Sequence, residues 1–278
     1  MKTIKELIDS NLTKFPDRDC ALMDAEILTA HALSHSRSWV KASIGDALTE
    51  QQINAISLLF DRRIKGEPVA YILEEWEFYS IPLKVSPATL IPRPETEHLV
   101  ERCIEIMANI ESLSILDLGT GTGAIAIALA KNVHNASVTA LDFSAEALEV
   151  ARSNALTNQV DVEFRHSDWF EAVNEHERFD LIVSNPPYVA FDDPHLSRGD
   201  LRFEPQSALT AGEDEFSDLK TIINDAGLYL NIGGALLVEH GYDQGTFVRE
   251  LFTRAGFTDV KTHQDYSGND RFTEGYLA

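Results

Sequence analysis

Ile115-Leu116-Asp117-Leu118-Gly119-Thr120-Gly121-Thr122-Gly123 reads as an apolar strand running into a glycine turn, and residues 124–131 after it carry a helical pattern. Strand, glycine turn and helix in that order open a doubly wound α/β sheet. Glycines at alternate positions permit unusual backbone angles and let a ligand lie against the main chain. The spacing is Gly-x-Gly-x-Gly rather than the Gly-x-Gly-x-x-Gly of dinucleotide binders, and Asp117 is ill placed beside a pyrophosphate. A ligand carrying an ammonium or sulfonium charge suits this turn better.

On either side the pattern extends. Residues 114–118, 137–141, 160–164, 179–184 and 235–239 read as strands, and residues 124–131, 145–156, 216–230 and 244–255 as helices. Such alternation predicts a mostly parallel, Rossmann-like sheet. Residues 259–262 and 271–277 add an antiparallel edge hairpin at the C-terminal end. The first third is helical instead. Ile4, Leu7, Ile8, Leu12 and Phe15 recur at helical spacing, as do Leu22, Ala25, Ile27, Leu28, Ala32 and Leu33. In a third helix Thr49 and Gln52 form a capping box ahead of Ile53, Ile56, Leu59, Phe60 and Ile64, and Gly66 closes it. The expected division is a small helical bundle over residues 1–73, a linker with a β-hairpin over 74–92 and the α/β domain over 93–278. In the linker, 77–79 and 81–85 pair as strands whose proline favours an edge. Pro94, Glu95 and Glu97 suit the first turn of the helix that follows.

The 278 residues carry a net charge of -22, unevenly spread. Residues 1–73 hold 9 basic and 10 acidic side chains (9 − 10 = -1), leaving 14 basic and 35 acidic in the remainder (14 − 35 = -21). So acidic a body is a poor scaffold for phosphate backbones, although a local basic patch would still bind RNA. Cys20 and Cys103 stand far apart with no zinc-site spacing, which fits a reducing compartment. His31 and His35 lie one helical turn apart without further ligands nearby, so ordinary positions are expected and no metal. Neither a signal core nor a membrane-spanning run is visible, making a cytoplasmic protein the expectation.

Val183-Ser184-Asn185-Pro186-Pro187-Tyr188 ends a buried strand in two prolines, which neither donate to a ladder nor continue it. Asn185 and Tyr188 therefore stand at a strand tip, where ligands of open α/β sheets sit. Taken alone, the tetrapeptide is equally a proline-stiffened exit loop. Asp142 ends the second strand, where a carboxylate accepts hydrogen bonds from ribose hydroxyls; as a helix cap it would be redundant with Ser144. Asp168 and Trp169 follow the third strand and suit an adenine amino group and ring face. Glycine turn, Asp142, Asp168 and Asn185 thus lie at the tips of four successive strands. Their joint pattern resembles the class I S-adenosylmethionine-dependent methyltransferases.

Within that superfamily, Asn-Pro-Pro-Tyr resembles the motif of enzymes that methylate a nitrogen on a planar conjugated group. Such a nitrogen attacks poorly unless acceptors hold its hydrogens. The Asn185 side-chain oxygen and the Pro186 carbonyl suit that task, with Tyr188 stacking on the planar group. DNA adenine or cytosine, an RNA base and a protein glutamine all meet the description. Leu90-Ile91-Pro92-Arg93-Pro94-Glu95-Thr96-Glu97, the glycine turn, Asn185 to Tyr188, Phe203-Glu204-Pro205 and Leu237-Val238-Glu239-His240-Gly241 occur in the order seen in the protein-(glutamine-N) methyltransferases that modify peptide chain release factors, the PrmC/HemK family. The resemblance runs from about the first helix to the tail.

It implies S-adenosyl-L-methionine as cofactor, S-adenosyl-L-homocysteine as product, no metal, and as substrate the glutamine of a Gly-Gly-Gln loop in a bacterial release factor, with neither membrane nor nucleic acid as direct partner. The N-terminal helices become a substrate-recognition domain. Gly119, Thr120, Gly121, Thr122, Gly123, Asp142, Asp168, Trp169 and Asn185 become cofactor contacts. Asn185, Pro186, Pro187 and Tyr188 become the substrate site, with Asn185, Pro186 and Tyr188 catalytic, and Arg93 a second-tier organiser of the pocket. A nucleic-acid amino methyltransferase is the alternative, against which the acidic catalytic part counts. Two departures from the family pattern, Glu74 where glycine is usual and Glu215-Phe216 where Gly-Leu is common, touch loop geometry rather than the chemistry.

Overall fold

Contacts in the computed structural model, which describes residues 2–108, 113–197 and 199–278, divide the chain into two units: Met1–Glu75 with Pro194–Phe203, and Trp76–Asp193 with Glu204–Ala278. The first unit holds helices α1 (Ile4–Asp9), α2 (Ala21–Leu33), α3 (Arg37–Ala42), α4 (Glu50–Ile64) and α5 (Val69–Leu73). Thr3 and Thr49 begin α1 and α4 by the same chemistry. Each hydroxyl accepts a backbone N–H three residues on, and Glu6 or Gln52 reaches back to the threonine N–H. Ile4, Leu7, Leu28, Val40, Ile56 and Phe60 fill the core, where Phe15 meets the Phe60 ring edge-on at 5.3 Å. A second anchor is ionic. Arg63, its side chain only 5% exposed, donates to Asp24 at 2.7 Å and to Asp200 at 2.8 Å, fastening residues 194–203 into the unit. Removing Arg63 would strand the buried Asp24 carboxylate, at a cost of about 3–5 kcal/mol, whereas Asp200, its side chain 44% exposed, is partly solvated.

Local chemistry shortens the expected helices. The first ends at Asp9 because Ser10 Oγ and Asn11 Nδ2 both donate to the Leu7 carbonyl, and Leu12–Lys14 form only a 3-10 turn. Ser34, at φ 56, ends α2, so His35 lies beyond the helix and stacks on Trp39 at 3.8 Å. Leu22, expected on the apolar face, is 51% exposed. Helices α3 and α5 span six and five residues, too few for periodicity to reveal them.

The second unit begins with a two-stranded sheet of β1 (Glu75–Phe78) and β2 (Ile81–Lys84), whose strand β1 starts at the last residue of the first unit. Then follow α6 (Thr96–Met107), β3 (Leu113–Leu118), α7 (Ala124–Asn132), β4 (Ala136–Asp142), α8 (Ala145–Asn158), β5 (Glu163–His166), β6 (Phe179–Ser184), α9 (Ser217–Ala226), β7 (Leu230–Glu239), α10 (Gly245–Arg254), β8 (Phe257–Gln264) and β9 (Asp270–Leu277). The large sheet runs β5-β4-β3-β6-β7-β9-β8; its first five strands are parallel and β9 is antiparallel to both neighbours. This is the Rossmann-like sheet with an antiparallel C-terminal edge that the alternation predicts.

Period-two alternation sends Leu113, Ile115, Leu181, Val183, Ala235 and Leu237 to one face, against α6 and α7, and Leu116, Leu118, Ile182, Leu236 and Val238 to the other, against α9 and α10. Covered on both faces, these strands are apolar almost throughout. Pro94 precedes α6 in a turn rather than lying in it, since the Thr96 N–H donates to the Arg93 carbonyl. Strand β5 starts at Glu163, not 160, because Gln159 at φ 57 and the Val160 N–H, bonded to the Ala155 carbonyl, close α8. Strand β7 begins five residues earlier than expected (235 − 230), its ladder to β6 shifting register around Gly233 and Gly234. No helix of the described residues is long and apolar enough to cross a membrane.

Glu74, the departure flagged by sequence, ends α5 at φ 57, a left-handed position. A side chain there costs about 1–2 kcal/mol, against about 0.5–1 kcal/mol for the extra freedom of glycine in the unfolded chain. Glu74→Gly is therefore expected to raise folding stability by roughly 0.5–1 kcal/mol, read as a higher urea midpoint; a lower midpoint would contradict the assignment.

Candidate active site

Strand order reverses between β3 and β6: the chain runs from β3 out to β5 and then crosses back to β6. The carboxyl ends of these neighbours diverge into a cleft of about 320 Å³. The glycine turn forms one wall. Gly119 and Thr120 both donate their N–H to the Leu141 carbonyl at 2.9 Å, and Thr120 Oγ1 donates to Asp117 Oδ2 at 2.6 Å. Asp117 is fully buried, and the loss of water pushes its carboxyl up to about 7 despite that bond. Asn154, 1% exposed, ties the turn down by donating to the carbonyls of Thr122 and Lys84.

Two of the glycines have distinct tasks. At Gly121, φ 55, a Cβ would meet nothing within 4 Å, so the main chain lies bare beside the cleft. At Gly123, φ 82, a Cβ would come within 3.0 Å of Ile127 and 3.3 Å of Ala151, so the absence of a side chain there serves helix packing. Asp142, at the tip of β4, accepts the N–H of Gly121 at 2.7 Å and of Ser144 at 2.8 Å. Burial raises its carboxyl, and those two bonds oppose the rise. Ser144 Oγ caps α8 by accepting the Ala147 N–H, which leaves Asp142 to the cleft. Asp168 lines the cleft beside Trp169, whose ring packs over Gly119 and whose Nε1 donates to Asp218 at 3.3 Å.

At the tip of β6, Asn185 lines the cleft with Pro187, whereas Pro186 is buried and does not. Asn185 Nδ2 donates to Thr96 Oγ1 at 3.2 Å, and Thr96 Oγ1 donates to Glu239 Oε2 at 2.7 Å. The Tyr188 hydroxyl donates to the other oxygen of the same carboxylate, Oε1, at 3.1 Å. Burial pushes the Glu239 carboxyl up to about 7, opposed by the bonds from Thr96 and Tyr188 and by Arg271. Tyr188 is also raised, first by burial and then by the Glu239 charge. Its backbone carbonyl accepts from Gln244 Nε2 at 3.0 Å. Across the cleft, Glu204 accepts the Ile91 N–H at 3.1 Å and Arg93 Nη2 at 2.6 Å, holding the segment that brings Pro92 and Arg93 to the rim.

The fold thus brings together Gly119, Thr120, Gly121, Thr122, Asp142, Asp168, Trp169, Asn185 and Pro187, while Gly123, Pro186 and Tyr188 stand behind the lining. Sequence reasoning gave no role to Thr96, Glu239, Asn154, Asp218 or Glu204. Thr96, Glu204 and Glu239 lie in the blocks that carry the resemblance, and Asn154 left a signal of its own, a polar residue among the buried positions Ala147, Ala151 and Ala155 of α8. Among the described residues no cluster of three or more His, Cys, Asp or Glu is placed to hold a metal ion.

Residues 97–197 match the family model described as Methyltransferase small domain, and residues 15–73 match the PrmC N-terminal domain. The chain is 47% identical over 258 residues to the release factor glutamine methyltransferase of Aliivibrio fischeri, covering 92% of this chain and 90% of that protein. It is likewise 47% identical over 260 residues to the enzyme of the same name from Salmonella typhimurium, covering 93% of each chain. A methyltransferase structure from Pyrococcus furiosus matches with a TM-score of 0.55 at 20% identity, over 79% of this chain and 98% of that one, which bears on the fold alone.

The two glycines should separate by experiment. Gly123→Ala combines left-handed strain of about 1–2 kcal/mol with overpacking of about 1–3 kcal/mol, so its urea midpoint should fall well below that of Gly121→Ala, which carries the strain alone. Equal midpoints would refute the packing role of Gly123.

Proposed function

The chain belongs to the release factor glutamine methyltransferase family, and from that premise we propose that it transfers a methyl group from S-adenosyl-L-methionine to the side-chain amide nitrogen of the glutamine in the Gly-Gly-Gln loop of a peptide chain release factor. One observation carries the assignment to this cleft. Asn185 Nδ2 is engaged by Thr96, and Asn185 Oδ1 makes no hydrogen bond to the described residues. An acceptor held still at a strand tip is what an amide N–H donor requires.

The donor set fits the cofactor at three points. Gly121 leaves the main chain bare, the twice-bonded Asp142 carboxylate retains lone pairs for ribose hydroxyls, and Trp169 with Asp168 offers a ring face and an acceptor to the adenine. When bound, the cofactor supplies an electrophilic methyl on a sulfonium. An amide nitrogen has its lone pair delocalised into the carbonyl, so this chain's task is orientation rather than deprotonation. Asn185 Oδ1 accepts an amide hydrogen and turns the nitrogen lone pair toward the methyl. Tyr188 backs this wall, with its hydroxyl committed to Glu239 and its ring packed against the buried apolar cluster on the α9 and α10 face of the sheet. With the methyl transferred from sulfur to nitrogen and S-adenosyl-L-homocysteine left behind, the nitrogen is acidic and loses a proton to solvent.

We assign recognition of the protein substrate to the N-terminal helices, which the match to the PrmC N-terminal domain supports. The net charge of -22 supports a protein partner over a phosphate backbone.

Labelled methyl from S-adenosyl-L-methionine should enter a release factor and be lost when its loop glutamine is replaced by glutamate. Label in duplex DNA with none in the factor would overturn the proposal. Asn185→Ala should lower kcat by roughly 10²-fold or more while changing folding stability by about 1 kcal/mol at most, since it forfeits one neutral hydrogen bond. Unimpaired turnover would remove Asn185 from its role.

A further inference from the structure

Thr96 and Glu239 lie in two of the sequence blocks, 90–97 and 237–241, that take no part in the methyl transfer described above, yet they meet directly behind Asn185. We propose that Glu239, acting through the Thr96 hydroxyl, is a positioning residue that fixes which end of the Asn185 amide faces the acceptor nitrogen. The inference rests on the proposed reaction and adds to it the device that orients its hydrogen-bond acceptor.

Hydrogen counting leads there. Above about pH 7, where Glu239 is ionised, its carboxylate only accepts, so the bond between Glu239 Oε2 and Thr96 Oγ1 obliges threonine to spend its single proton on the glutamate. With no proton left for Asn185, Thr96 Oγ1 meets that side chain as an acceptor. Only the NH₂ end of an amide satisfies an acceptor, so Nδ2 turns inward at 3.2 Å and Oδ1 turns toward the cleft. Reversing the amide would set Oδ1 against an oxygen with no hydrogen between them and present two donors to a substrate nitrogen that is itself a donor. The acceptor site would become a repelling one without any change in shape.

The carboxylate itself is pinned. Oε1 accepts the Tyr188 hydroxyl at 3.1 Å, and Glu239 ends β7 in register with Phe272 of β9. Thr96 opens α6, and its hydroxyl is the sole link in the relay. Neither Thr96 nor Glu239 needs to touch the glutamine nitrogen; both act through Asn185. The signature is therefore a loss of kcat with binding preserved, and non-additivity along the relay.

The test uses the full chain, labelled S-adenosyl-L-methionine and a release factor. Thr96→Val keeps the shape and deletes the hydroxyl; Glu239→Gln lets the side chain donate to Thr96 and free its proton to turn toward Asn185. Each should lower kcat by about 10- to 10²-fold, the scale of a misoriented reacting group. KM for the factor and the cofactor dissociation constant should stay within about threefold. Thr96→Ser, which retains Oγ, should restore turnover to near wild type. The Thr96→Val, Glu239→Gln double variant should be no slower than the slower single one, as members of one chain are not additive. Three results would each overturn the inference: kcat of Thr96→Val within twofold of wild type, Thr96→Ser as slow as Thr96→Val, or losses that multiply in the double variant. If Glu239→Gln does not fold, the two threonine variants decide alone. A wild-type chain that labels no release factor overturns the parent reaction, and this inference with it, whereas an active wild type beside an equally active Thr96→Val overturns the inference only.

Discussion

One buried carboxylate ties the working end of the sheet together. Glu239, 2% exposed, forgoes water at a cost of several kcal/mol, and two hydroxyl donors at about 1.5–3 kcal/mol each do not fully repay it. That imbalance explains a carboxyl pushed up to about 7. The burial is costly, but it joins three pieces of chain remote in sequence: the start of α6 through Thr96, the loop after β6 through Tyr188, and the end of β7 itself. Each piece contributes to, or backs, the wall of one cleft. A hydrophobic residue in place of Glu239 would fill the space without telling Thr96 which way to point.

The opposite wall is built by subtraction. Positive φ at Gly119, Gly121 and Gly123 folds the main chain tightly between β3 and α7, and the side chains missing there leave room for a ligand at one position and for a helix at another. Asp142 serves this wall twice, since accepting from Gly121 stiffens the turn while its remaining lone pairs stay at the cleft. The two halves of the site are thus held by different means, backbone geometry on one side and a polar relay on the other.

Much of this was legible in the residues. Apolar runs located β3, β4 and β6, because strands covered on both faces must be apolar throughout. The strand-tip groups Asp142, Asp168 and Asn185 followed from topology, since an open sheet places its ligands at one end. What escaped was non-local or short. The contact between Thr96 and Glu239 spans 143 residues, and no local pattern encodes which hydroxyl a carboxylate will meet. Helices α3 and α5 are shorter than two turns, and the start of β5 was masked by the αL residue Gln159, which carries no glycine to announce it. Tyr188 shows the limit of residue type as a guide: an aromatic ring beside a site was read as a stacking surface, while its hydroxyl faces inward to Glu239.

The segment Pro194–Phe203 belongs with the N-terminal helices although it follows the Asn-Pro-Pro-Tyr turn in sequence. Where this excursion leaves and rejoins the sheet unit, Val189 and Thr210 are bridged, so the chain is clipped at the base of the loop. The polypeptide therefore crosses from one unit to the other three times, not once. For inheritance and for engineering, this makes the helical unit something other than a cassette. A graft cut at residue 75 would carry Arg63 and Asp24 but not Asp200, so exchange of the helical unit between relatives has to move two stretches of gene together.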